Sequence, residues 1–166
     1  IDPNIFFNPR FLAPAMPRLD DREIRFMVMR DETDGRSRLR FLMPFSVEKA
    51  GFGIGTDVIR AWSNHFAPLG TPLIDRDDPV GVVEDMLDIV SRKHLKLPDV
   101  LVIPDIPEFG PAAAALRMAA IGRNLTVIMT GRKERPVLRT GEEPEAYLRT
   151  AMSAHHIRGY NRLLRR

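Results

Sequence analysis

EIRFMVMR (residues 23–30) and SRLRFLMPFSVEK (residues 37–49) decide how the chain folds. Ile24, Phe26 and Val28 alternate with Arg25, Met27 and Met29, and Leu39, Phe41 and Met43 recur at every second position. That is the period at which side chains share one face of a strand. The polar stretch RDETDGRSR (30–38) joins the two runs and holds Asp34-Gly35, a pair suited to a hairpin turn. After the Gly-rich bend AGFGIGTD (50–57), DVIRAWS (57–63) predicts a third strand. Three consecutive strands on short links make an antiparallel meander.

Upstream, Asn8-Pro9 is a helix start, with Asn as cap and Pro at the first helical position. Phe11, Leu12, Met16 and Leu19 then give an apolar face that ends near Asp20-Asp21. Downstream, NHFAPLGTPLIDRDD (64–78) reads as a long loop, of the kind that is often functional or interfacial. Asp78-Pro79 opens a helix with Val83, Met86, Leu87 and Val90 on one face. DVLVIPDI (99–106) predicts a strand buried on both faces. Gly110-Pro111 opens an Ala-rich helix through Arg123, and NLTVIMT (124–130) reads as another buried strand. Thr140 and Glu143 have capping-box spacing before a short helix over 142–151, and Ser153 can cap a last, Arg-rich helix. The order α-β-β-β-α-β-α-β-α-α predicts an α/β fold, with a mixed sheet (antiparallel meander followed by strand–helix units) flanked by helices.

The chain has 166 residues, enough for one core without staples, and no Cys, which excludes disulfides, thiolate metal sites and cysteine nucleophiles. No apolar run is long enough to span a membrane, and IDPNIFFNPR has neither the basic start nor the apolar run of a signal peptide, so a cytoplasmic location is expected. The absence of an initiator Met fits a processed chain or a piece of something longer. The net charge of +3 is localised: the last 14 residues carry four Arg, two His and no acid, while the remainder carries 21 basic and 22 acidic side chains. With 21 Arg to 4 Lys, the Arg excess reads as genome composition rather than phosphate recognition.

Three places could carry chemistry. RAWSNHFAPLGTPLID (60–75) holds the only Trp and one of four His, so Trp62, Asn64 and His65 are candidates for binding a polar ligand. The plainer reading folds Trp62, Phe66 and Leu69 back onto the core. VIPDIPEFGPAAAALR (102–117) is a strand–loop–helix connection, the geometry in which backbone N–H groups cradle phosphate. Pro107 and Pro111 have no N–H, and Asp105 and Glu108 put negative charge where an anion would sit, which favours a plain connection. Arg158, Arg162, Arg165 and Arg166 partly share a helix face and could contact phosphates or an acidic partner. The alternative is a solvated helix that packs Ile157, Tyr160 and Leu164 on another domain. No G-x-S-x-G elbow or P-loop is present, and His155-His156, being adjacent, cannot both face one metal.

NPRFLAPAM (8–16), WSNHFAPLGTPLID (62–75), RPVL (135–138), EAYL (145–148) and SAHHIRGYNRLLRR (153–166) together resemble the N-terminal half of a bacterial acyltransferase family. This is the tandem GNAT type associated with cellulose and exopolysaccharide biosynthesis (CelD-like, with FemAB-type architecture). The resemblance implies a GNAT-like domain over residues 1–152 and an Arg-rich helical tail, 153–166, leading toward a second GNAT domain. That domain, or a homodimer mate, is the implied partner; nucleic acid is not expected. GNAT enzymes hold the acyl-CoA pyrophosphate with an [RQ]-x-x-G-x-[GA] loop. Its counterpart here is Pro107 to Ala112, where Gly110 and Ala112 keep the spacing and Pro107 replaces the Arg or Gln. The resemblance therefore implies no cofactor in this chain, acetyl-CoA or acyl-CoA in the full-length protein, and no catalytic residue to carry over. The expected role is a non-catalytic half that helps shape the acceptor cleft through Trp62, Asn64 and His65. The competing expectations are a self-sufficient small acetyltransferase, and an interaction or RNA-binding module using the Arg tail.

Overall fold

The computed structural model describes residues 1–33, 35–50, 55–136 and 141–164. They form two compact units, Ile1–Thr130 and Gly131–Arg166. Asp34 of the expected hairpin turn, most of the Gly-rich bend, Thr140 of the expected capping box, Arg165 and Arg166 lie outside the described residues.

The first unit is an α/β fold on a mixed sheet. β1 (Arg25–Thr33) pairs antiparallel with β2 (Arg36–Lys49), and β2 pairs antiparallel with β3 (Asp57–Ala61), as the alternation predicts. β2 is long enough to serve two partners on its second edge: β3 opposite Phe45–Lys49, and the two-residue β4 (Leu73–Ile74) opposite Phe41 and Leu42. β5 (Leu101–Val102) adds parallel to β3 and ends the order β1-β2-β3-β5. A bulge between Met29 and Arg30 slips the register, so Arg30 faces Leu39 and Met29 faces Phe41.

Two layers cover the sheet. On one face, Met27, Phe41, Met43, Phe45 and Ile59 pack against α2 (Pro79–Val90) and α3 (Pro111–Gly122) through Val82, Val83, Met86 and a row of alanines. The alanines let α3 approach closely. On the other face, α1 (Pro9–Leu19) and a 3-10 turn at Ile5–Phe7 enclose Trp62 with Phe7, Leu12, Ala15 and Ala67. The Asn8 side chain accepts the Arg10 N–H, the cap read from sequence. Pro14 and Pro17 inside α1 each remove a backbone donor, so this helix rests on packing more than on its own ladder. In β1 both members of the alternation are apolar. The structure turns Met27 and Met29 to the α2–α3 side and leaves Phe26 and Val28 on the reverse face, about half exposed.

Two strand expectations are corrected. The 99–106 run yields only Leu101–Val102, half-buried rather than buried on both faces, and among the described residues β5 pairs with β3 alone. The 124–130 run forms no strand: Leu125, Val127, Ile128 and Met129 are exposed. Continuous apolar character marks a segment as needing cover but does not say what covers it.

The second unit holds α4 (Pro144–Ala151) and α5 (Ala154–Leu164). Ser153 begins α5 as expected: its carbonyl accepts the Ile157 N–H at 3.1 Å, and its Oγ faces the His156 N–H at 3.4 Å and His156 Nδ1 at 2.9 Å. No helix among the described residues is long and apolar enough to cross a membrane.

Candidate functional site

In open α/β sheets ligands collect beyond the carboxyl ends of parallel strands. Here those are the ends of β3 and β5, from which the segments 62–72 and 103–110 emerge. Trp62 leaves β3 with its N–H on the Pro44 carbonyl (2.8 Å) and its ring wholly buried 6.3 Å from that of Phe7. Its Nε1 donates to Asp20 Oδ2 (2.9 Å). Asp20 also accepts from the Arg22 backbone N–H (3.0 Å) and from both ends of the Arg22 guanidinium (2.8 and 2.5 Å). Arg22 reaches on to the Ser63 carbonyl (3.0 Å) and faces Glu48, which Arg60 pairs from β3. The Arg22 hydrogen bond outweighs burial and holds the Asp20 carboxyl below the usual carboxylate range. Trp62 thus braces the loop from beneath and has no surface to offer a ligand.

Asn64 folds the next turn. Its Oδ1 accepts the backbone N–H groups of Phe66 (2.9 Å) and Ala67 (2.8 Å), an Asx turn that a single Asn can specify. Its Nδ2 is buried and finds no partner among the described residues. The turn leaves His65 exposed, its ring edge-on to Phe66 at 5.5 Å. Of Trp62, Asn64 and His65, His65 alone presents a titratable group outward; the other two set its position.

Ala67–Pro72 then dives under the surface, with Ala67, Gly70, Thr71 and Pro72 buried. Asn4, itself buried, pins this stretch by donating Nδ2 to the carbonyls of Leu69 (3.0 Å) and Thr71 (2.8 Å) while its Oδ1 accepts the Phe6 N–H. Gly70 donates its N–H to the Pro104 carbonyl (3.0 Å), tying the loop to the exit of β5.

Beyond Pro104, Asp105 takes a left-handed conformation (φ 51°), and Gly110 closes a turn on the Pro107 carbonyl (3.0 Å) before α3. The Ala112 N–H, in the first turn of α3, donates to Asp2 Oδ2 (2.9 Å). A Cβ on Gly110 would meet that same oxygen at 2.8 Å. α2 is arranged alike: Pro79 opens it and Asp78 Oδ1 accepts the Gly81 N–H (3.0 Å). Both strand-to-helix crossovers therefore start with a proline and a carboxylate from the chain itself, satisfying donors that an anionic ligand would otherwise use. Asp2→Ala removes the α3 cap. Its expected cost is about 1 kcal/mol, or roughly 2–4 °C in Tm, readable by thermal unfolding.

Comparisons with protein-family models, curated proteins and solved structures find no match for this chain.

Elsewhere in the first unit, an open groove of about 450 Å³ lies between β1 and α2, lined by Arg30 and Arg92 and by Asp31, Asp85 and Asp88. Two of these five charges are engaged in structure, Asp31 with Arg40 and Asp88 with Arg123. On α5, Arg158 and Arg162 are exposed. No three His, Asp or Glu side chains among the described residues could hold a metal ion together. Sequence reading missed Asp2, Asn4, Asp20 and Arg22, which position the site. Asp2 and Asn4 act across separations of 110 and 65–67 residues, beyond any local spacing rule.

Proposed function

We propose that this chain is the non-catalytic, GNAT-like N-terminal half of an acyltransferase and helps shape the acceptor cleft of the whole enzyme. The observation that carries this reading is the Asp2 carboxylate on the Ala112 N–H at the start of α3. An acyl-CoA pyrophosphate needs free backbone donors and positive charge there. This domain offers an internal carboxylate, two prolines and Glu108 in their place. The meander followed by a parallel β3–β5 pair, with helices on both faces, supports the GNAT-like part of the reading. The acceptor side is represented by His65 and Phe66, held outward on the Asn64 turn.

Thermal unfolding with acetyl-CoA tests it. A ligand at about 100 times its Kd adds roughly 2.7 kcal/mol, which at this size raises Tm by about 5–10 °C. The expected result is a flat titration into the millimolar range. A saturable rise would overturn the proposal and make the chain a cofactor-binding enzyme domain in its own right.

A further inference from the structure

β1 ends the sheet, and its outer edge is open. Among the described residues its 9 residues pair with β2 alone, and no backbone hydrogen bond from elsewhere in the chain reaches the second edge. The bulge does not blunt this edge: the residue skipped in the register is Arg40, on β2, so β1 runs unbroken from Arg25 to Thr33. Nor does α2 close over it, since the groove of about 450 Å³ lies between α2 and Val28–Asp31. Proteins commonly protect such an edge with lysine, proline or a short strand. RFMVMRDET has neither residue, and Phe26 and Val28 stand on it 47% and 42% exposed.

The sequence of this edge is close to a palindrome. Outward from Val28, Met27 answers Met29, Phe26 answers Arg30, and Arg25 answers Asp31. Two antiparallel copies of β1 about a two-fold axis at Val28 set these residues directly opposite one another, on the same face. On the α2–α3 side the methionines meet, with Arg25 against Asp31 at both ends. On the reverse face Val28 meets the partner's Val28, and Phe26 meets the partner's Arg30, a cation beside an aromatic ring. Neighbouring registers lose this match. An axis at Met29 sets Met27 against Asp31 and Val28 against Arg30, and pairs no opposite charges within β1. An axis at Met27 sets Glu23 against Asp31, like against like. Arg25 and Asp31 have partners in their own chain, Glu23 and Arg40, yet their side chains are 52% and 50% exposed, and each keeps capacity for a second hydrogen bond.

We propose that β1 pairs antiparallel with β1 of a second copy of the chain, about a two-fold axis at Val28, so that one sheet runs through both protomers. A second copy is the occupant because the charge pattern complements itself. An unrelated extended peptide would satisfy the open backbone but gives no reason for opposite charges at equal distances from one valine. Backbone ladders supply the affinity, and the side-chain pairs fix the register.

Sedimentation of the whole chain over a hundredfold concentration range reads the assembly. A single cysteine reads the register, because the chain has none of its own. The expected result is a species of twice the 18.9 kDa chain mass, with amide exchange slowed at alternate residues of 25–31 only where the dimer forms. Val28→Cys should oxidise to a covalent dimer. Phe26→Cys should not, because its own counterpart lies about 13 Å away along the paired strands. Arg25→Asp should weaken dimerisation about tenfold, and adding Asp31→Arg should recover most of that loss. A chain that stays monomeric throughout overturns the proposal and leaves the edge to a foreign strand. So does a dimer in which Phe26→Cys cross-links as readily as Val28→Cys, or one indifferent to Arg25→Asp.

Discussion

Gly70→Ala will destabilise the protein by about 3 kcal/mol, lowering Tm by roughly 6–12 °C. A Cβ at position 70 would stand 2.8 Å from both the Pro104 carbonyl oxygen and Pro104 Cδ, closer than real Cβ contacts come. Neither neighbour is a flexible side-chain end. Relief requires the loop to lift off β5, which loses the Gly70–Pro104 hydrogen bond and loosens the Asn4 clamp on Leu69 and Thr71. The backbone at 70 is not left-handed, so the requirement is for space, not for an unusual dihedral. Urea unfolding measures the loss. Gly141→Ala, where an added Cβ meets nothing, is the matching control and should change stability by less than about 0.5 kcal/mol.

The second large effect is expected at Asp20. Its side chain is almost fully buried and takes hydrogen bonds from Trp62 and Arg22 together. Asp20→Ala leaves the indole N–H buried without an acceptor and strips Arg22 of its closest carboxylate. Removing one partner of a buried pair costs about 3–5 kcal/mol, and the partial exposure of Arg22 places the expectation near 3. Asp20→Asn keeps an acceptor for Trp62 and should cost about half as much. The pH dependence separates charge from shape. Arg22 holds the Asp20 carboxyl below its ordinary value, so folding is favoured by this ion pair above the ordinary carboxylate pKa near 4. That contribution fades as pH falls through the lowered folded value. The stability gap between the native protein and Asp20→Asn should therefore be widest at neutral pH and close on acidification below about pH 4. A gap constant with pH would mean that the loss is one of packing alone.

The hairpin, the meander, α1, α2 and α3 were legible because each is written locally: a strict period of two, an Asn-Pro or Asp-Pro start, a run of alanines. β1 shows the limit of that legibility. Its two faces are both apolar, and only tertiary packing decides that Met27 rather than Phe26 turns to α2 and α3. The 124–130 run shows another, since a stretch can need burial without naming its partner. For the site, Asn64 and His65 stand out by residue type, and the Asn64 turn is written locally enough to be read there. What holds the loop in place was hidden. Asn4, Asp2 and Asp20 are ordinary polar residues in the sequence and acquire meaning only when residues far apart in the chain are brought together.

The clasp at residues 2–7 also sets an order of events during synthesis. Asp2 waits for Ala112, Asn4 for Leu69 and Thr71, and Phe7 for Trp62. At about 5–20 residues per second, the 110 residues between Asp2 and its partner take on the order of 6–20 s to make. Among the stretches described, the first to leave the ribosome is therefore among the last to be seated. The cover over Trp62 needs nothing beyond Thr71, so a nascent chain stalled between residues 72 and 112 would hold Asn4 and Phe7 with their partners made and Asp2 still without its own.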